Sequence, residues 1–204
     1  MKKIIFFNQF HNGDCFVGKQ YVAEIMRQLP DVEFAYAHNN HPDIIKDLGI
    51  EHLGLNNIPP MDRMTRVGES PDKETLFINT WVGCWQGTMF NFGEHINFVR
   101  LHNIWREYFK YLNLEFVEDP NYYLPRIDHA KFDVTAAEAW IAEHGTKPLI
   151  LFCNGTANSG QSRVGDLTQC ISHLADALPE VNFLVTNRLN ITRPNIYYTD
   201  DIFV

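Results

Sequence analysis

Residues 3–37 read KIIFFNQFHNGDCFVGKQYVAEIMRQLPDVEFAYA, and their pattern decides the fold class. Lys3 to Phe7 is a continuous, mainly apolar run, as expected of a strand buried on both faces. From Asp14 onward Val17, Tyr21, Ile25 and Leu29 recur at helical spacing, with Val22 and Met26 beside them, and Pro30 ends the pattern. Val32 to Ala37 returns as a second short strand. The stretch is a strand-helix-strand unit, and its crossover is expected to be right-handed.

The same stretch holds Gly13, four residues, then Gly18 and Lys19, which is the spacing of a nucleotide phosphate loop. That loop requires Ser or Thr next, as a compact hydroxyl ligand for Mg²⁺, and this chain has Gln20. Asp14 inside the loop would repel the phosphates. The apolar runs LFIN, LILFCN and NFLVTN also end in Asn, where such an enzyme needs an Asp for the metal. A phosphate-loop NTPase is therefore the less favoured alternative.

The pattern recurs downstream. Thr75 to Asn79 reads as a buried strand running into WVGCWQG, and a longer helix follows, its apolar face carried by Ile96, Val99, Ile104, Phe109 and Leu112. Residues 38–75 are rich in Asn, Pro, Gly and Asp, with one short helix expected near Ile44 to Leu48. Thr135 and Glu138 form a capping-box pattern opening a helix that Gly145 stops. Pro148 to Cys153 then reads as another buried strand, followed by the polar loop NGTANSGQS. A helix comes next, its core face expected to be Leu167, Cys170, Ile171, Leu174, Ala177 and Leu178. Val181 to Thr186 and Asn195 to Tyr198 are the last expected strands.

These elements predict an α/β protein of two Rossmann-like lobes: residues 1–146, ending in a hinge helix at 135–144, and residues 147–204, the start of a second lobe. Since a full Rossmann-like domain needs two strand-helix-strand halves, the second lobe reads as incomplete. At 204 residues and 45% hydrophobic, the chain can bury one full core or two modest ones. Its net charge of −8 disfavours a sequence-independent grip on nucleic acid or anionic lipid. The start MKKIIFF is interrupted by polar residues before it reaches the length of an export signal, and no apolar run approaches a membrane span, so a cytoplasmic location is expected. Cys15, Cys84, Cys153 and Cys170 are far apart and near apolar residues, and are expected to be buried free thiols.

Two strand-to-helix loops carry chemistry. In the first, Asp14 at the helix start can act as a general base or serve as a plain N-cap. In the second, the backbone amides of a helix start attract anions, and Thr156, Ser159, Gly160, Gln161, Ser162 and Arg163 add donors. The alternative for this loop is a turn built of turn-forming residues. Lys19 can reach a phosphate or an acceptor acid, or simply be solvated. Trp81, Trp85 and Gln86 follow a strand end and form a candidate sugar-stacking wall, with core burial as the alternative for at least one tryptophan. His95 and His102 read as structural, and no metal site or cofactor is called for.

Gly13-Asp14 opening a helix that ends in Leu29-Pro30, followed by DVEFAYA, resembles the start of heptosyltransferase-type glycosyltransferases of the GT-B fold. KPLILFCNG, a polar loop and ADALPEVNFLVTN resemble the opening of the second lobe in the same family. The resemblance covers about 80 residues. It implies a sugar transferred from a nucleotide diphosphate donor to the hydroxyl of a glycan or glycolipid acceptor, with inversion and without a metal, and a chain that is inactive if it is a fragment. It carries the role of catalytic base onto Asp14, assigns the diphosphate to the loop at 154–163, and leaves Asn12, Gly13, Lys19, Trp81, Trp85 and Gln86 as acceptor or sugar contacts. The family often places a lysine and a tryptophan near the second helix start, and here Arg163 stands nearest to the lysine. A non-catalytic sugar- or nucleotide-binding module is the alternative from another class.

Overall fold

The computed structural model describes residues 1–10, 12–39, 42–62, 64–85, 98–154 and 167–202. They fall into two compact units, Met1–Lys131 and Phe132–Val204.

The first unit is built on a five-stranded sheet. Its strands are β1 (Lys3–Phe7), β2 (Glu33–Ala37), β3 (Glu51–Leu53), β4 (Val67–Glu69) and β5 (Thr75–Asn79), in the spatial order β3-β2-β1-β5-β4. All neighbours are parallel except β4, which runs antiparallel to β5. Alternate residues of the central strands feed two cores, as the period-2 geometry of a strand demands. Ile4, Phe6, Tyr36, Leu76 and Ile78 pack under the helices α1 (Asn12–Gln28) and α2 (Phe98–Tyr111), against Tyr21, Ile25, Ile104 and Trp105. Ile5, Phe7, Ala35, Ala37 and Phe77 face the other way, onto Leu53, Leu55, Ile58 and Met61.

Gly18 has a packing reason. A Cβ there would come within 2.8 Å of the Trp105 ring, so a bare backbone is what lets the indole lie against α1. Trp105 in turn stacks on Tyr21 at 5.1 Å, and Tyr21 on Tyr123 at 4.1 Å. His102 is 3% exposed and bonded to the Tyr21 hydroxyl and the Glu118 carbonyl, which is a structural role.

The second unit has a three-stranded parallel sheet, β6 (Leu149–Phe152), β7 (Asn182–Val185) and β8 (Ile196–Tyr198), in that spatial order. Helix α4 (Thr168–Ala177) places Ile171 and Ala175 against Phe183, Val185, Ile196 and Tyr198. Helix α3 (Thr135–His144) belongs to this unit and not to the first: Trp140 and His144 meet Tyr197 edge-on, and Asn182 donates to the His144 carbonyl. The expected boundary near residue 146 therefore moves to 131/132.

Three other local expectations are corrected. Thr135 is the first helical residue and not the cap, and its amide is satisfied by Asp133 Oδ1 at 3.0 Å. Only Cys15 and Cys84 are buried; Cys153 and Cys170 are exposed, as is Ala177, because the core face of α4 turns on Ile171 and Ala175. Residues 38–75 contain the short strands β3 and β4, which the sequence did not announce, beside the anticipated helical turn, a 3-10 segment at Pro42–Leu48.

Candidate active site

The chain runs from β1 outward to β2 and β3 on one side, then returns to β5 on the other side of β1. In open parallel sheets, the point where strand order reverses leaves a crevice beyond the carboxyl ends of the two strands concerned. Here it lies beyond Phe7 and Asn79, which are register partners.

A row of buried polar residues lies along this edge: Asn8, His38, Asn79 and Thr80, all at most 4% exposed. Buried polar groups have to be hydrogen-bonded, and this row largely bonds to itself and to the strand ends. Thr80 donates its hydroxyl to the Phe7 carbonyl at 3.2 Å and lies 2.5 Å from the Tyr36 hydroxyl, so Tyr36 is the donor of that pair. Asn8 Nδ2 lies 3.4 Å from the same threonine oxygen. Tyr36 also bonds the Cys15 side chain. Burial raises the Cys15 thiol to about 11, against the Tyr36 bond and with help from the Asp14 charge, which keeps the thiol proton in place.

Asp14 is near enough to this network for its charge to act on Cys15 and Tyr36. It is the third residue of α1, half-buried in the first turn, where a negative charge meets the positive end of the helix dipole. The plain N-cap reading does not hold, since the helix begins two residues earlier, at Asn12. The Asp14 charge also acts, as the smallest of several causes, on Tyr36 and Cys84, whose raised values stem first from burial. Next to it, Asn12 Oδ1 is buried without a hydrogen-bond partner. Gly13 has open space where a Cβ would stand, so nothing crowds the helix start there.

Strand ends position the walls. Asn8 Oδ1 accepts from the Phe10 amide and Asn79 Oδ1 from the Trp81 amide, two local turns that bring Phe10 and Trp81 together with ring centroids 4.5 Å apart. Phe10 is 41% exposed and Trp81 half-buried. Gly83 makes this possible, because a Cβ there would lie 2.1 Å from the Trp81 ring. Trp85 differs from its neighbour. It is 7% exposed, bonds the Tyr108 hydroxyl through Nε1 and carries the Arg66 guanidinium on its face at 4.0 Å, so it belongs to the core and not to a stacking wall.

Lys19 is not solvated. It is 1% exposed, and its ammonium meets Asp47 Oδ2 at 2.8 Å. The phosphate-loop reading fails here, because residues 12–19 are helix and the lysine is already neutralised.

In the second unit the described residues before the polar loop end at Asn154. Its Oδ1 accepts from the Asn187 amide and from Thr186 Oγ1, and its Nδ2 donates to the Asn187 carbonyl, which ties the exits of β6 and β7 together. Thr156, Ser159, Gly160, Gln161, Ser162 and Arg163, like Gln86, lie outside the described residues. Among the described residues no group of three or more His, Cys, Asp or Glu could hold a metal ion, and no helix is long and apolar enough to cross a membrane.

Sequence reasoning named Asp14 and Trp81 as candidates and did not single out Phe10, Tyr36 or Thr80, which the structure places at the same sheet edge. The Asn residues that close the strands were the available signal, since Asn at a strand exit builds the local turn that aims the next residues.

No protein-family model and no curated protein matches the chain. Among solved structures it is similar to the glycosyl transferase family 9 protein from Veillonella parvula, at 11% identity and a TM-score of 0.51, over 97% of this chain and 70% of that one. At that identity the likeness is one of fold. The two α/β units fit the two-lobed GT-B architecture of a distant glycosyltransferase match.

Proposed function

We propose that the chain is a glycosyltransferase that moves a sugar from a nucleotide diphosphate donor to the hydroxyl of a glycan or glycolipid acceptor, with inversion and without a bound metal. The observation that carries this reading is the place of Asp14: a carboxylate in the first turn of α1, the helix that follows β1 at the switch point of the sheet, with its charge acting on the buried Cys15 and Tyr36. Inverting transfer requires a carboxylate to take the acceptor proton while the anomeric carbon becomes oxocarbenium-like. In this reading Asp14 takes the proton, the acceptor oxygen bonds the anomeric carbon, and the sugar-phosphate bond breaks with its electron pair leaving on the diphosphate.

The unpartnered Asn12 Oδ1 supports an acceptor hydroxyl donating beside Asp14. Phe10 and Trp81 supply the apolar wall on which a sugar face stacks. The diphosphate falls to Thr156, Ser159, Gly160, Gln161, Ser162 and Arg163, where amides and a guanidinium balance its charge. Lys19 and Trp85 drop out of the contact set, being buried in their own pairings.

A panel of nucleotide diphosphate sugars tests the reading. One donor should bind saturably and release nucleoside diphosphate when a hydroxylated acceptor is added, and Arg163→Ala should weaken its binding about tenfold or more, as loss of a charge-assisted contact does. Saturable donor binding with no release under any acceptor would favour the non-catalytic binding module instead.

A further inference from the structure

Between α1 and the 3-10 segment Pro42–Leu48 lies a cavity of about 350 Å³ that the chemistry above does not use. Lys19, Gln20, Asp47, Leu48, Arg126 and Ile127 contribute to its lining. The Lys19 and Asp47 side chains are 2% and 6% exposed. Asp47 Oδ2 is already occupied, accepting from Lys19 Nζ at 2.8 Å and from the Asp128 amide at 3.1 Å. Asp47 Oδ1 is buried with no hydrogen-bond partner.

A carboxylate oxygen removed from water needs a donor, and a buried ion pair holds well only when its remaining lone pairs are satisfied. The missing group is a donor. The rest of the lining says what carries it. Arg126 offers donors, the Gln20 carboxamide both donates and accepts, and Leu48 with Ile127 gives an apolar surface. Lys19 and Arg126 balance Asp47 and Asp128, so the cavity has no excess charge to draw a strongly ionic ligand. A polyhydroxylated ring fits all of these: hydroxyls that donate to the carboxylate and accept from guanidinium and amide, and a C–H face for the apolar side chains. The volume is at the lower end of the range for small-molecule pockets, roughly 300–1,000 Å³.

We infer that this groove is a carbohydrate subsite for one neutral monosaccharide unit, with Asp47 Oδ1 accepting a hydrogen bond from a ring hydroxyl. Its position is separate from the crevice: Lys19 follows Asp14 by five residues, about 7.5 Å along the helix axis. Binding here does not depend on Asp14 or on sugar transfer.

The test is an NMR titration of the full chain with methyl α-glucopyranoside, methyl α-mannopyranoside and methyl β-galactopyranoside, with cyclohexanol as a ring bearing a single hydroxyl. At least one glycoside should shift Gln20, Asp47 and Ile127 saturably, in Asp14→Asn as in the parent, while cyclohexanol should not. Gln20→Ala and Arg126→Ala should each weaken that binding about fivefold or more, and both leave the Lys19–Asp47 pair intact. Absence of saturable shifts with all three glycosides would overturn the inference. So would equal response to cyclohexanol, or affinity unchanged in both variants.

Discussion

The strands β1 and β6 are spelled in nearly the same letters, KIIFF and LILF, and meet opposite fates. In β1, Ile4 to Phe7 are at most 6% exposed; in β6, Leu149, Ile150 and Leu151 are 40–57% exposed. The difference lies in their neighbours. β1 is paired on both edges, by β2 and β5, with helices on one face and the Leu53–Met61 segment on the other. β6 is paired only with β7 among the described residues, and the core of its unit centres on β7 and β8. An apolar run states a capacity for burial, and the sheet around it decides whether that capacity is used.

If the first unit is a finished core and β6 lies outside one, four substitutions should separate them. Phe6→Ala, at a side chain with no exposure, should destabilise the first unit by about 3–5 kcal/mol in chemical denaturation. A loss below about 1 kcal/mol would mean that this core is looser than its packing implies. The ion pairs offer the second contrast. Lys19→Met strands Asp47 as a buried charge and should cost roughly 3–5 kcal/mol, whereas Arg193→Met, at an exposed pair with Asp176 in the second unit, should cost far less, because water screens that pair. Comparable losses at the two sites would break the contrast.

The thiols divide along the same line. Cys15 and Cys84 are buried in the first unit and raised to about 11, first by burial, so at pH 8 only about one in a thousand is thiolate. Cys153 and Cys170 are exposed in the second unit. A colorimetric thiol reagent should titrate two groups rapidly in the folded protein and the other two only on unfolding. Four groups reacting together would contradict the burial. The smallest effect belongs to β6: Leu151→Asn should leave stability within about 0.5 kcal/mol, since that side chain is 57% exposed.

Much of this was legible in the sequence, and the reasons for the rest are physical. The helix α1, the strands β1, β2 and β5, and the succession α3, β6, α4, β7, β8 follow from periodicity and from Pro and Gly punctuation, which act locally. β3 and β4 have three residues each, too few for a period, and exist because β2 and β5 offer them edges. Lys19 looked like a surface or phosphate lysine because its partner, Asp47, is 28 residues away in the least patterned part of the chain. Of the candidate site, the sequence offered Asp14 by its place at a helix start, whereas Tyr36 and Thr80 meet only when parallel register aligns three strand ends. The asparagines that closed the apolar runs counted against a metal-binding aspartate. In the structure Asn79 builds a local turn at the exit of β5, and Asn154 bonds the Asn187 amide, joining the exits of β6 and β7.

The central claim is that Asp14 takes the acceptor proton at the switch point of the first sheet. It is tested by single-turnover transfer with the tightest-binding nucleotide sugar, comparing the parent chain with Asp14→Asn. Loss of a general base predicts a rate lower by about 10²–10⁴-fold, with donor affinity and melting temperature unchanged. Equal rates in the two proteins would contradict it.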